Sequence, residues 1–167
     1  MSCVHHWTLD ENQSTTIANN VAGNALLNGT IDGNPQRVAG VKGGAFAFDG
    51  NDDRIFVGNN SGLELGQYTV SLWIYPEKND EDFTGVFGRS GRNYAIWLGD
   101  SDHATRPFIH HRFGEAENSN EGVSNFNLSG WNRWYHIACS NGGIGGVART
   151  YVDGTFISNN QRYERRV

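Results

Sequence analysis

The sequence predicts an all-β fold built from short antiparallel strands. Runs in which apolar and polar residues alternate recur along the chain, the period of a strand with one buried face. No stretch holds apolar residues at the helical three-and-four spacing for three turns. Gly, Asn, Asp and Ser punctuate the runs, and 22 glycines in 167 residues exceed an average share. Alternation with frequent turn residues and no helical period is the signature of a sandwich or a barrel.

Taken in order, residues 3–9 read as an opening strand, and residues 26–31 and 37–41 as short strands in an irregular region. Residues 45–48 and 54–57 flank the bend Asp49-Gly50-Asn51-Asp52-Asp53. That bend reads either as a charged hairpin turn or as part of a calcium site. Residues 67–75 give the clearest strand, with Tyr68, Val70, Leu72 and Ile74 on one face and Thr69, Ser71, Trp73 and Tyr75 on the other. Residues 85–88, 94–98, 108–113, 134–139 and 149–152 follow as strands. Asp153-Gly154 supplies a tight turn, from which residues 155–157 return. The connection over residues 114–130 is long and polar and reads as a loop.

Composition bounds the function. With a net charge of −5, a broad electrostatic grip on nucleic acid is not expected. No apolar run is long enough to span a bilayer, and the first seven residues lack the basic and apolar regions of a signal peptide. Frequent aromatics and only 3 prolines argue for one packed domain over residues 1–167. Cys3 and Cys139 form a disulfide only if their strands are neighbours, and two buried free thiols are the expected state.

Five motifs stand in a particular order: WTLDEN from Trp7, GGAFAFDGNDDRIFVG from Gly43, YTVSLWIYP from Tyr68, WYHIACS from Trp134 and TYVDG from Thr150. In this order they resemble the laminin-G-like domains of the concanavalin A-like lectin and glucanase superfamily. The resemblance covers residues 7–154 and implies a jelly-roll sandwich of two antiparallel sheets, outside the cell or at its surface. Such domains continue past Tyr-Val-Asp-Gly with a Gly-rich strand and a final acidic strand beside the first. Neither is recognisable here, so the expectation is an open edge beside residues 3–9. A second copy of the chain, a strand of a parent protein or residues 158–167 would cover that edge.

The superfamily holds enzymes as well as binding modules, so the chemistry must be read from residues. Its glucanases carry Glu-x-Asp-x-x-Glu on one strand face. The nearest string here, Glu115-Ala116-Glu117 with Glu121 beyond, has no Asp between the two Glu and reads as a solvated loop. Lyase residue types occur at Arg89, Arg92, Tyr94, His110, His111 and Arg112, without lyase strings, and adjacent His110 and His111 face opposite ways. His5-His6 offers no transition-metal spacing, and no Gly-x-Ser-x-Gly elbow is present.

The reading is therefore a non-catalytic, lectin-like module that binds a polysaccharide or glycoconjugate on its concave sheet. Trp73 and Tyr75 are the stacking residues, with Trp97 and Arg112 extending the site if their strands adjoin. The alternative is an adhesion or structural domain that works through protein contact, and a lyase or hydrolase is a distant third. If the bend is a calcium site and not a plain charged hairpin, one structural Ca2+ sits on Asp49, Asp52 and Asp53 with Asp10 from the start of the domain.

Overall fold

The computed structural model of the chain describes residues 3–11, 15–17, 27–58, 63, 65–78, 83–88, 94–99, 107–113, 123–143 and 146–160. Thirteen strands and no α-helix are found among them, every ladder is antiparallel, and the all-β expectation is met. No helix in these residues is long and apolar enough to cross a membrane. The chain divides into two compact units, Met1–Leu63 and Glu64–Val167.

In the first unit, β1 (Thr16–Ile17), β2 (Gly29–Asp32) and β5 (Arg54–Phe56) form one sheet in that order. A separate hairpin joins β3 (Gln36–Ala39) to β4 (Gly44–Ala47). The strands on either side of the carboxylate bend therefore do not pair with each other. β4 turns back to β3, placing Gln36 opposite Ala47, while β5 pairs with β2, placing Asp32 opposite Arg54. The bend is a crossover between two ladders and not a hairpin turn.

Residues 3–9 do not form the expected strand. Leu9 has φ 63°, a left-handed conformation that breaks a ladder. Side chains hold the segment instead. The Trp7 indole N–H donates to the Leu27 carbonyl at 2.8 Å, and the Gly44 N–H donates to Asp10 Oδ1 at 2.7 Å. With no strand there, the bare neighbour position expected beside it does not arise. Cys3, expected buried, is exposed; Cys139 is buried, and both thiols are free.

The second unit is a sandwich of two four-stranded sheets. One has the order β13-β12-β11-β6, from Thr155–Asn160, Ala148–Val152, Tyr135–Asn141 and Tyr68–Ile74. The other has the order β10-β9-β8-β7, from Val123–Asn127, Phe108–Phe113, Tyr94–Gly99 and Phe83–Gly88. β10 lies where a polar loop was expected; a strand with Ser124, Asn125 and Asn127 carries little apolar alternation, and pairing with β9 decides it. Between the sheets, Ile74, Tyr135, Ile137, Cys139 and Val152 meet Ile96, Ile109 and Leu128. Residues 161–167 lie outside the described residues.

One polar side chain is built into this interior. His111 is 1% exposed, and its Nε2 lies 3.2 Å from Tyr68 Oη in a hydrogen bond across the sandwich. Burial, with a smaller push from neighbouring His110, lowers its pKa from 6.5 to about 3. Burial also pushes the Cys139 thiol up to about 12, which makes it inert.

A depressed folded-state pKa makes the unfolded chain the better proton acceptor between the two values. The contribution of neutral His111 is thus complete above about pH 6.5 and is lost as pH falls towards about 3. The expected slope is at most about 1.4 kcal/mol per pH unit. Urea unfolding of the wild type and His111→Gln across that range checks it: the variant is less stable near neutral pH but has a shallower acid slope.

Candidate functional site

β6 alternates strictly, with Tyr68 and Ile74 buried and Thr69, Ser71 and Trp73 exposed. Its ladder with β11 places Ile137 opposite Leu72 on the core side and His136 opposite Trp73 on the outer side. β12 continues the pattern: Val152 opposite Ile137 faces inward, and Tyr151 opposite Ala138 faces outward. The Asp153-Gly154 turn then sets Phe156 opposite Tyr151. Four strands about 4.8 Å apart, with outward residues every roughly 7 Å along each, thus make a regular grid.

Aromatic side chains fill three rows of that grid. Tyr75 meets Trp134 edge-to-face at 5.5 Å between centroids, Trp73 meets His136 at 5.1 Å, and Tyr151 meets Phe156 at 5.5 Å. Ser71 Oγ lies 2.7 Å from His136 Nε2, which fixes the imidazole against the indole. Trp73, Tyr75 and Phe156 keep 51%, 43% and 49% of their surface in solvent. Ser71 and Ala138, both small, face outward between the Trp73–His136 pair and Tyr151. The face thus offers flat apolar rings around a lower floor, with hydroxyl and imidazole groups at hand.

Trp97 and Arg112 do not extend this face. Trp97 lies on β8 opposite His110 of β9, and Arg112 lies on β9 opposite Ala95, so both belong to the β10-β9-β8-β7 sheet. The motif order left open which sheet β8 and β9 join. His110 and His111 do face opposite ways, with His111 in the core. Arg89, Arg92, Glu115, Glu117 and Glu121 lie outside the described residues. Sequence reasoning did not single out His136, Tyr151 or Phe156. The signal for Phe156 was present, because a two-residue Asp-Gly turn fixes the register on both sides of it.

At the carboxylate bend, oxygens of Asp49, Asp52 and Asp53 all lie within 4.8 Å of one another. Asp49 Oδ1 accepts from the Asn51 and Asp52 N–H groups at 2.8 and 3.4 Å. Asp53 accepts from the Asn34 N–H at 2.6 Å and the Asp49 N–H at 3.0 Å. Gly33, at φ 81°, leaves the space for this carboxylate, since a Cβ there would lie 2.4 Å from Asp53 Oδ1. The Asn51 N–H, as the largest cause, holds the Asp49 carboxyl below its ordinary value. Asp10 is outside the cluster: it binds the N–H of Gly44 at the far end of β4, roughly 10 Å or more of strand away.

A family profile, described as the concanavalin A-like lectin/glucanases superfamily, matches residues 49–165. The chain belongs to the concanavalin A-like lectin/glucanase superfamily. No curated protein and no solved structure gives a significant match to it. Membership in the superfamily fixes the sandwich and not the ligand, because lectins, adhesion domains and glycosidases share it.

Two of the superfamily motifs hold the aromatic grid together. Asp153 and Gly154 have φ 50° and 76°, the paired left-handed conformations of a type I′ hairpin turn. Asp153 Oδ1 accepts the His136 N–H at 2.9 Å, and the Asp153 N–H donates to the His136 carbonyl at 2.8 Å. The turn of one motif is thereby tied to the strand of another. Arg133 adds an exposed ion pair to Asp153 Oδ2 at 3.4 Å. Below the face, Tyr135 Oη donates to the Gly130 carbonyl at 2.8 Å and pairs with Ser129 Oγ at 2.9 Å. Asp153→Ala places a Cβ-bearing residue without a side-chain acceptor at positive φ, and is expected to lower stability by about 2 kcal/mol. Asp153→Gly relieves the backbone part and should lose less. Equilibrium unfolding of the two variants checks the order.

Proposed function

We propose that the protein is a non-catalytic carbohydrate-binding module that holds a polysaccharide on the outer face of the β13-β12-β11-β6 sheet. The observation that supports this reading is the row structure of that face. Trp73, Tyr75, Tyr151 and Phe156 lie at fixed spacing around Ser71 and Ala138. Sugar rings stack their apolar sides on such aromatics, and neighbouring hydroxyls and imidazole bond the sugar hydroxyls. The strands β6, β11 and β12 carry no carboxylate at their outward positions, so binding without cleavage is the proposed outcome. On the strength of the family, the setting is outside the cell or at its surface.

Replacing one stacking aromatic removes about 1 kcal/mol or more of binding, a several-fold loss. Calorimetric titration of soluble glucans, galactans and uronans against wild type, Trp73→Ala and Tyr75→Ala is the test. Expected is saturable binding by the wild type and weaker binding by both variants, with circular dichroism unchanged and substrate chains uncut. No binding to any glycan, or equal binding by all three proteins, turns the reading to a protein-contact adhesion domain. Appearance of new reducing or unsaturated ends overturns the non-catalytic part.

We also propose that Asp49, Asp52 and Asp53 hold one structural Ca2+. The three clustered carboxylates fit it: Asp49 and Asp53 each keep acceptor capacity beyond the N–H groups they bind, and backbone carbonyls or water would complete the shell. The ion would neutralise three like charges at one bend. At calcium about tenfold above Kd the gain is about 1.4 kcal/mol. The melting temperature is therefore expected to rise in millimolar calcium relative to chelator, and not to rise in Asp52→Asn. An unchanged melting temperature in the wild type leaves the bend as a hydrogen-bonded crossover alone.

A further inference from the structure

We infer that the polysaccharide bound on this face is acidic, and that Arg149 is its anion contact; the inference rests on the reading of the face as a glycan platform. Arg149 is exposed on the outer side of β12, between buried Ala148 and Thr150. It stands one row from Tyr151 along its own strand, roughly 7 Å away. Across the sheet it lies opposite Ser140, which lies opposite Thr69. Its guanidinium makes no ion pair among the described residues.

The charge of the surroundings sharpens the point. The outward positions of β6, β11 and β12 carry no carboxylate, although the whole chain has a net charge of −5. Asp153, at the turn that follows β12, is engaged within its hairpin, where it accepts the His136 N–H and pairs with Arg133. These rows offer the hydroxyls of Thr69 and Ser140 and a cation with no carboxylate at the outward positions of β6, β11 or β12 to neutralise it, and Asn159 stands opposite Arg149 on β13. A planar guanidinium matches the two oxygens of a carboxylate, or two of a sulfate, in a bidentate fork. A ring stacked in the Tyr151 row, over Ala138, brings an exocyclic acid group within reach of Arg149, with Thr69 and Ser140 beyond.

The experiment uses the full chain and three probes of matched length: an oligogalacturonate, a sulfated galactan oligomer and a neutral laminarin oligomer. Affinity is read by calorimetry at about 0.05 and about 0.5 M salt, where screening separates charge contacts from stacking. Wild type is expected to prefer at least one acidic probe about tenfold at low salt, and to lose most of that preference at high salt. Arg149→Gln should remove the preference while leaving laminarin affinity within about twofold, and Arg149→Lys should restore part of it. The acidic probe that responds tells carboxylate from sulfate. An Arg149→Gln variant that binds both acidic probes as tightly as wild type overturns the inference, as does a wild-type preference for laminarin. In either case a loss of binding in Trp73→Ala keeps the glycan platform standing. Absence of binding to all three probes overturns inference and platform together.

Discussion

The ladder that pairs Tyr68–Ile74 with Tyr135–Asn141 is the constraint on which the rest of the second unit depends. Because the side-chain period of a strand is two, one register fixes both faces of the sheet at once. A slip of Tyr68–Ile74 by one residue against its partner would turn Val70, Leu72 and Ile74 to water and drive Thr69, Ser71 and Trp73 into the sandwich. Burial of an aliphatic side chain is worth roughly 2 kcal/mol, so several such residues moving together exclude the slipped register by a wide margin. The outer grid of aromatics is therefore held in place by interior residues that never meet a ligand.

That arrangement leaves two different environments a few ångströms apart. Inside, His111 keeps its imidazole neutral against Tyr68, and the Cys139 thiol is inert. Outside, large aromatic surfaces stay in water, at a cost in hydration that packing does not recover. Aromatics gathered on one face, in register and braced by edge-to-face contacts and a Ser71–His136 hydrogen bond, form a pre-ordered surface. Ordering them in advance lowers the entropy lost when a flexible polymer settles on them.

In the first unit, carboxylates supplement the short ladders. Asp49 and Asp53 accept N–H groups of the bend and of Asn34, and Asp10 accepts the N–H of Gly44. Short strands that leave many N–H groups outside a ladder need such acceptors. A side chain that holds an N–H also brings its charge to a chosen place, so the same residues that shape the crossover gather three charges at one bend.

Local pattern determined most strands of the second unit. The alternation of β6, the Asp-Gly turn and the motif order are short-range features, and they located β6, β8, β9, β11, β12 and the start of β13 within a residue or two. They also put Trp73 and Tyr75 on one outer face, because strand alternation alone decides that. Pairing was beyond their reach. The partners of β4 and β5, the sheet that receives Trp97 and Arg112, the missing strand at residues 3–9 and the polar strand β10 were decided by tertiary structure. The physical reason is that a ladder is formed between segments distant in sequence, and its energy comes from the partner's face. A strand's own residues say which way its side chains point, and only the strand beside it says what they will meet.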